Sequence, residues 1–159
     1  MLLLSYSEDE RLLRKVLRAI INSTAGLKYA LIIDDTGITI MSQAKFVSSD
    51  DEISVEKIGA IAGAVFTAGE EQGQILGYGG ISIQITEYGT GLIFSAKAGK
   101  GVLCIATDLN VQIGFIRAVL KNWAPKVAKI LERYLEADQE GINKELKELF
   151  NSDTIGFMQ

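Results

Sequence analysis

The residues in this chain that could do chemistry are few. Cys104 could act as a nucleophile or redox centre, and Gly99-Lys100-Gly101 or the stretch "GQILGYGG" could cradle phosphate. Asp34-Asp35 and Asp50-Asp51-Glu52 could hold a hard cation. Each fails on spacing or setting. A phosphate loop needs G-x-x-x-x-G-K-[ST], but Lys100 is followed by Gly101, and Phe94 stands where the first glycine belongs. A dinucleotide fingerprint follows a strand and opens a helix, whereas "GQILGYGG" follows a helical pattern and precedes a strand. The acidic run lacks the ligand spacing and glycine of a calcium loop. Asp34-Asp35-Thr36-Gly37 reads as a tight turn. Cys104, inside "GVLCIAT", reads as a small buried hydrophobe. The chain has no histidine, so the commonest general base and metal ligand is missing. The expectation is no catalytic residue, no metal, no cofactor and no enzyme; an enzyme or small-ligand sensor is the minor alternative.

Composition narrows the partners. With 159 residues, the length prior gives one domain with enough chain for a sizeable core. A net charge of −4 gives no overall basic field to attract nucleic acid. The basic cluster Arg11, Arg14, Lys15 and Arg18 contains no aromatic for stacking on bases and reads first as a solvated helix face; it could also meet an acidic partner or an anionic membrane. A single cysteine excludes an intramolecular disulfide and fits a reducing, cytoplasmic setting. The "MLLL" start is too short for a signal segment, and no apolar run approaches the roughly 20 residues of a membrane span.

The elements that must position any site follow from periodicity. Ser7 to Thr24 reads as a helix, with Ser7 and Glu10 as a capping box and Leu12, Leu13, Val16, Leu17 and Ile20 on one face. Tyr29 to Asp34 is an apolar strand, and Ile38 to Gln43 is its return partner across the Gly37 turn. After the acidic loop "FVSSDDEI", Ser54 caps a second helix that runs to about Gln72. On a wheel, Ile58, Ile61, Ala62, Val65 and Gly69 should face a sheet. Glu56, Ala60, Gly63, Ala64, Thr67 and Glu71 lie opposite, and the small residues at the centre of that side suggest a helix–helix contact. Ile81 to Glu87 alternates as a strand, with Ile81, Ile83 and Ile85 on one face. Leu92 to Ala98 and Val102 to Thr107 complete a meander around a two-residue Gly99-Lys100 turn. A helix from Asn110 to Ala137, kinked at Pro125, is followed by a break at Gly141 and a short amphipathic tail helix, Ile142 to Phe150. The expected organisation is a domain over 1–137 and an extension over 138–159.

The order α-β-β-α-β-β-β-α gives an α+β class built on one antiparallel sheet. Three stretches carry a resemblance: "LKYALIIDDTGITIMSQ", "IGAIAGAVFTAGEEQG" and "ISIQITEYGTGLIFSAKAGKGVLCIATDLNVQIGFIRAVL". In pattern and order, from about Glu8 to Ala137, the chain resembles the roadblock/dynein light chain family. The resemblance implies a five-stranded sheet ordered 2-1-5-4-3, with the second helix on one face and the first and last on the other. It implies a homodimer formed by pairing of the third strands and packing of the second helices. That places the dimer interface at Ala60, Gly63, Ala64, Thr67, Ile81, Ser82, Ile83, Gln84, Ile85 and Thr86. It also implies a non-enzymatic adaptor or regulator of a small Ras-like GTPase, with Glu56, Lys57, Glu70 and Glu71 as exposed contacts near the dimer axis. A structural light-chain-like assembly subunit, without nucleotide-dependent binding, is the alternative. The long last helix and tail depart from the compact family pattern.

Overall fold

The computed structural model describes the backbone of residues 2–46 and 51–157, and the side chains of 7–46 and 55–151. In chain order the elements are α1 (Leu2–Ile21), β1 (Leu27–Asp34), β2 (Thr39–Ala44), α2 (Asp51–Leu76), β3 (Gln84–Glu87), β4 (Gly91–Ala98), β5 (Gly101–Asp108) and α3 (Ile113–Phe157). The strands form one antiparallel sheet ordered β2-β1-β5-β4-β3, as the resemblance implied.

Alternation along the central strands feeds two cores. Ala30, Ile32, Phe94, Leu103 and Ile105 point to one face, where Leu13, Leu17 and Ile20 of α1 and Ile116, Leu120, Val127 and Leu131 of α3 seal them. Leu31, Ile33, Val102 and Cys104 point to the other, under Val55, Ala62 and Phe66 of α2. The β1–β2 turn is fixed by Asp34, whose Oδ1 accepts from the Thr36 and Ile38 backbone N–H groups at 2.8 and 2.9 Å and from the Thr36 hydroxyl at 2.6 Å. Gly37 there takes φ 87°, a left-handed conformation that favours glycine.

Several boundaries differ from the sequence reading. Ser7 and Ser54 both lie inside helices that begin upstream of them, at Leu2 and Asp51, so neither is a cap. The acidic loop is correspondingly shorter, and its residues 47–50 lie outside the described ones. α2 runs four residues past Gln72 and ends in a paired C-terminal motif: the Tyr78 N–H donates to the Gly73 carbonyl at 2.8 Å and the Gly77 N–H to that of Gln74 at 3.1 Å. α3 is a single helix of 45 residues that passes through Pro125 and Gly141. The break at Gly141 and the separate tail helix are therefore corrected. One glycine costs a helix only about 1 kcal/mol, and good helix formers on both sides outweigh it. All residues from 138 to 151 are exposed, so this end of α3 extends beyond the packed body.

Candidate functional site

α2 does not sit centrally on its sheet face. At Gly59 an added Cβ would collide with Thr39 Oγ1 of β2, and at Gly63 it would lie 3.1 Å from the Gly37 Cα in the β1–β2 turn. These two glycines let the helix backbone settle over β1 and β2. Further along, Gly69 of the helix approaches Ile81 and Gln84, so the α2 face of β4 and β3 is covered only in part. A groove of about 190 Å³ runs there, between Ile58, Ile61 and Val65 on the helix and Gln84, Thr86 and Ile93 on the strands.

This placement rotates the expected helix wheel. Ile61 is 64% and Val65 47% exposed, whereas the expectation turned both toward the sheet. The sheet-facing positions are Val55, Gly59, Ala62 and Phe66, with Gly63 buried beside them. α2 is apolar around much of its circumference, so its pattern does not choose a side; close approach at the glycines does. Phe66 was the signal missed, since the one aromatic on this helix, spaced by four and seven from Ala62 and Gly59, marks the buried line.

The residues assigned to a self-contact separate accordingly. Ala60, Ala64 and Thr67 are exposed and border a shallow trough with Asp35, Thr36 and Glu71, but Gly63 is buried against the turn instead of facing outward. In the third strand, only Gln84, Ile85 and Thr86 lie on β3, and its outer edge is free among the described residues. Ile81, Ser82 and Ile83 precede the strand. Ile81 packs in the α2 core and Ile83 in the α1/α3 core, so they do not share a face. The cause is Glu70, whose Oε2 accepts the Ile81 N–H at 3.1 Å and bends the segment before it can pair. Glu70 is thus turned inward, while Glu56, Lys57 and Glu71 are exposed.

Nothing in this arrangement assembles reactive groups. Cys104 is buried, and desolvation pushes its thiol up to about 11, with a hydrogen bond to Ser95 acting in the opposite direction. Among the described residues, no cluster of three or more His, Cys, Asp or Glu side chains could hold a metal, and no helix is long and apolar enough to cross a membrane. What the site offers is an apolar helix flank beside a free sheet edge.

No protein-family model matches the sequence. The fold is that of roadblock/LC7 proteins. An MglB with tetrameric arrangement superposes with a TM-score of 0.69 at 17% identity, covering 82% of this chain and 92% of the neighbour. The gliding protein MglB of Thermus thermophilus gives 0.68 at 17% identity, covering 80% and 91%. A roadblock/LC7 domain of Streptomyces avermitilis gives 0.65 at 15% identity, covering 74% and 95%. In sequence, the chain belongs to one family with the uncharacterized proteins MJ0310 and MJ0714 of Methanocaldococcus jannaschii. Each is 31% identical over 107 residues, which is 67% of this chain and 90% and 86% of those proteins.

Proposed function

We propose that the chain is a homodimeric, non-enzymatic adaptor or regulator whose partner is a small Ras-like GTPase. The observation that carries the dimer is the apolar flank of α2, Ile58, Ile61 and Val65, lying open beside the unpaired edge of β3. An edge strand and an apolar groove next to each other favour a partner that continues the sheet and fills the groove together. A second copy does both, by pairing Gln84–Thr86 with itself and laying its own α2 alongside. The tetrameric arrangement described for one structural neighbour supports assembly beyond the monomer.

The GTPase enters through the roadblock resemblance. The paired α2 helices form a two-fold platform, and Glu56, Lys57 and Glu71 lie exposed on it. Any acceleration of hydrolysis would come from repositioning the GTPase's own groups, because all five arginines of this chain lie on the regular helices α1 and α3 and none on a projecting loop.

The test is affinity for small GTPases of the same genome, loaded with GDP and with a non-hydrolysable GTP analogue. Binding tighter than roughly 100 μM, about −5.5 kcal/mol, and dependent on the nucleotide supports the reading. If none binds in either state, the light-chain-like structural subunit replaces it.

A further inference from the structure

The open flank of α2 has a regular repeat. Ile58, Ile61, Val65, Ala68, Gln72 and Ile75 are spaced by alternating threes and fours, the seam of a helix that packs along another helix. From Ile61 to Ile75 every one of these positions is exposed. The sheet-side flank of the seam carries Ala62, which borders the groove, and Gly69, which lies against Ile81 and Gln84 of the same chain. The solvent-side flank carries Lys57, Ala64 and Glu71, seven residues apart and all exposed. Neither Lys57 nor Glu71 has an ion-pair partner within the described chain.

We propose that α2 packs antiparallel against α2 of a second copy, in the one heptad register that sets Lys57 of each chain against Glu71 of the other. This rests on the dimer reading above and adds the register and the residues that choose it. In an antiparallel helix pair, facing seam residues have numbers with one constant sum, facing residues on this solvent-side flank have a sum two greater, and each flank meets the same flank of the partner. When Ile61 faces Val65 of the second copy, Ile58 faces Ala68. On the solvent side Lys57 then meets Glu71, and Ala64 meets its own copy at the two-fold axis. Sliding by one heptad in either direction sets Lys57 or Glu71 against Ala64 and loses both pairs. The two-fold repeats each contact, so the register gains two ion pairs or none. Such rim pairs add little affinity, but they discriminate between alignments that the apolar seam alone would leave nearly equivalent.

Charge exchange tests this on the full chain, with the dimer dissociation constant read by sedimentation at low salt. Lys57→Glu and Glu71→Lys are each expected to weaken the dimer about tenfold, and the double variant to return within about threefold of the unmodified protein. Cysteines provide a second readout, since Cys104 is buried and does not compete. Ile61→Cys with Val65→Cys is expected to cross-link on mild oxidation. Ile61→Cys with Gln72→Cys is not, because Gln72 lies about two turns further along the helix than Val65. A monomeric unmodified protein overturns the dimer reading and the register with it. If the unmodified protein is a dimer, three results overturn the register alone: single variants that dissociate no more readily, a double variant that stays weak, or no cross-link at positions 61 and 65. Should a charge variant fail to fold, the cross-link decides.

Discussion

Strand β4 shows both characters of this molecule within four residues. Phe94 and Ala96 are sealed beneath α1 and α3 in a core with no exposure at its centre. Ile93 and Ser95, pointing the other way, line the groove that α2 leaves open. Two helices cover one face of the sheet and one off-centre helix covers the other. The closed face supplies the apolar burial that holds the fold together. The open face buries Val55, Gly59, Ala62, Gly63 and Phe66 of α2 and leaves Ile61 and Val65 to solvent. In the proposed function, stability and recognition thus fall on opposite sides of one sheet.

The largest expected effect breaks this division at its closed side. Phe94→Ala should cost about 3–5 kcal/mol in denaturant unfolding, because a fully buried ring leaves a cavity the two helices cannot fill. Ile61→Ala, by contrast, should change the unfolding free energy of the monomer by less than about 0.5 kcal/mol while weakening self-association. Equal costs at the two positions would erase the distinction between the faces.

A smaller effect is expected where α1 meets α3. Asp9 is buried, and its Oδ1 accepts from Arg133 Nη2 at 3.1 Å, across 124 residues of sequence. Arg133 is more than half exposed, so solvent screens the pair. Arg133→Met should cost about 1–2 kcal/mol by leaving the carboxylate unpaired, measured by urea titration at neutral pH.

Cys104 sharpens the comparison chemically, since it lies under α2 yet within the closed part of that face. With its thiol at about 11, against 9.0 for an unperturbed group, alkylation of the native protein at pH 8 should proceed only through unfolding. The sign of the linkage follows. The folded state holds its proton more tightly, so this group leaves stability unchanged below about pH 9 and lowers it as pH rises toward 11. Rapid labelling under native conditions would show the α2 face to be more open than its burial implies.

The most local effect concerns the exposed end of α3. An added Cβ at Gly141 meets nothing within 4 Å, so Gly141→Ala should stabilise this stretch by about 1 kcal/mol. Slower amide exchange between residues 138 and 150, with global unfolding unchanged, is the expected readout.

Much of this was legible in one dimension. The alternation of β1, β4 and β5, the Asp34–Gly37 turn and the two-residue Gly99-Lys100 turn are local signals, set by side-chain period and by backbone conformations that favour glycine. The absence of histidine and of a phosphate loop was likewise plain. The orientation of α2 was not. Its composition allows two apolar sides, and the choice was made by Gly59 against Thr39 and Gly63 against Gly37, contacts between residues 20 and 26 positions apart. The start of β3 was hidden for a similar reason. Ile81 to Ile83 alternates as a strand would, but the Glu70 carboxylate takes the Ile81 N–H and bends the chain across the sheet edge. Local periodicity therefore determined the elements and their order, because each element satisfies its own backbone. Which flank of α2 remained open was decided only when the backbones met, because that depends on how closely two surfaces can approach.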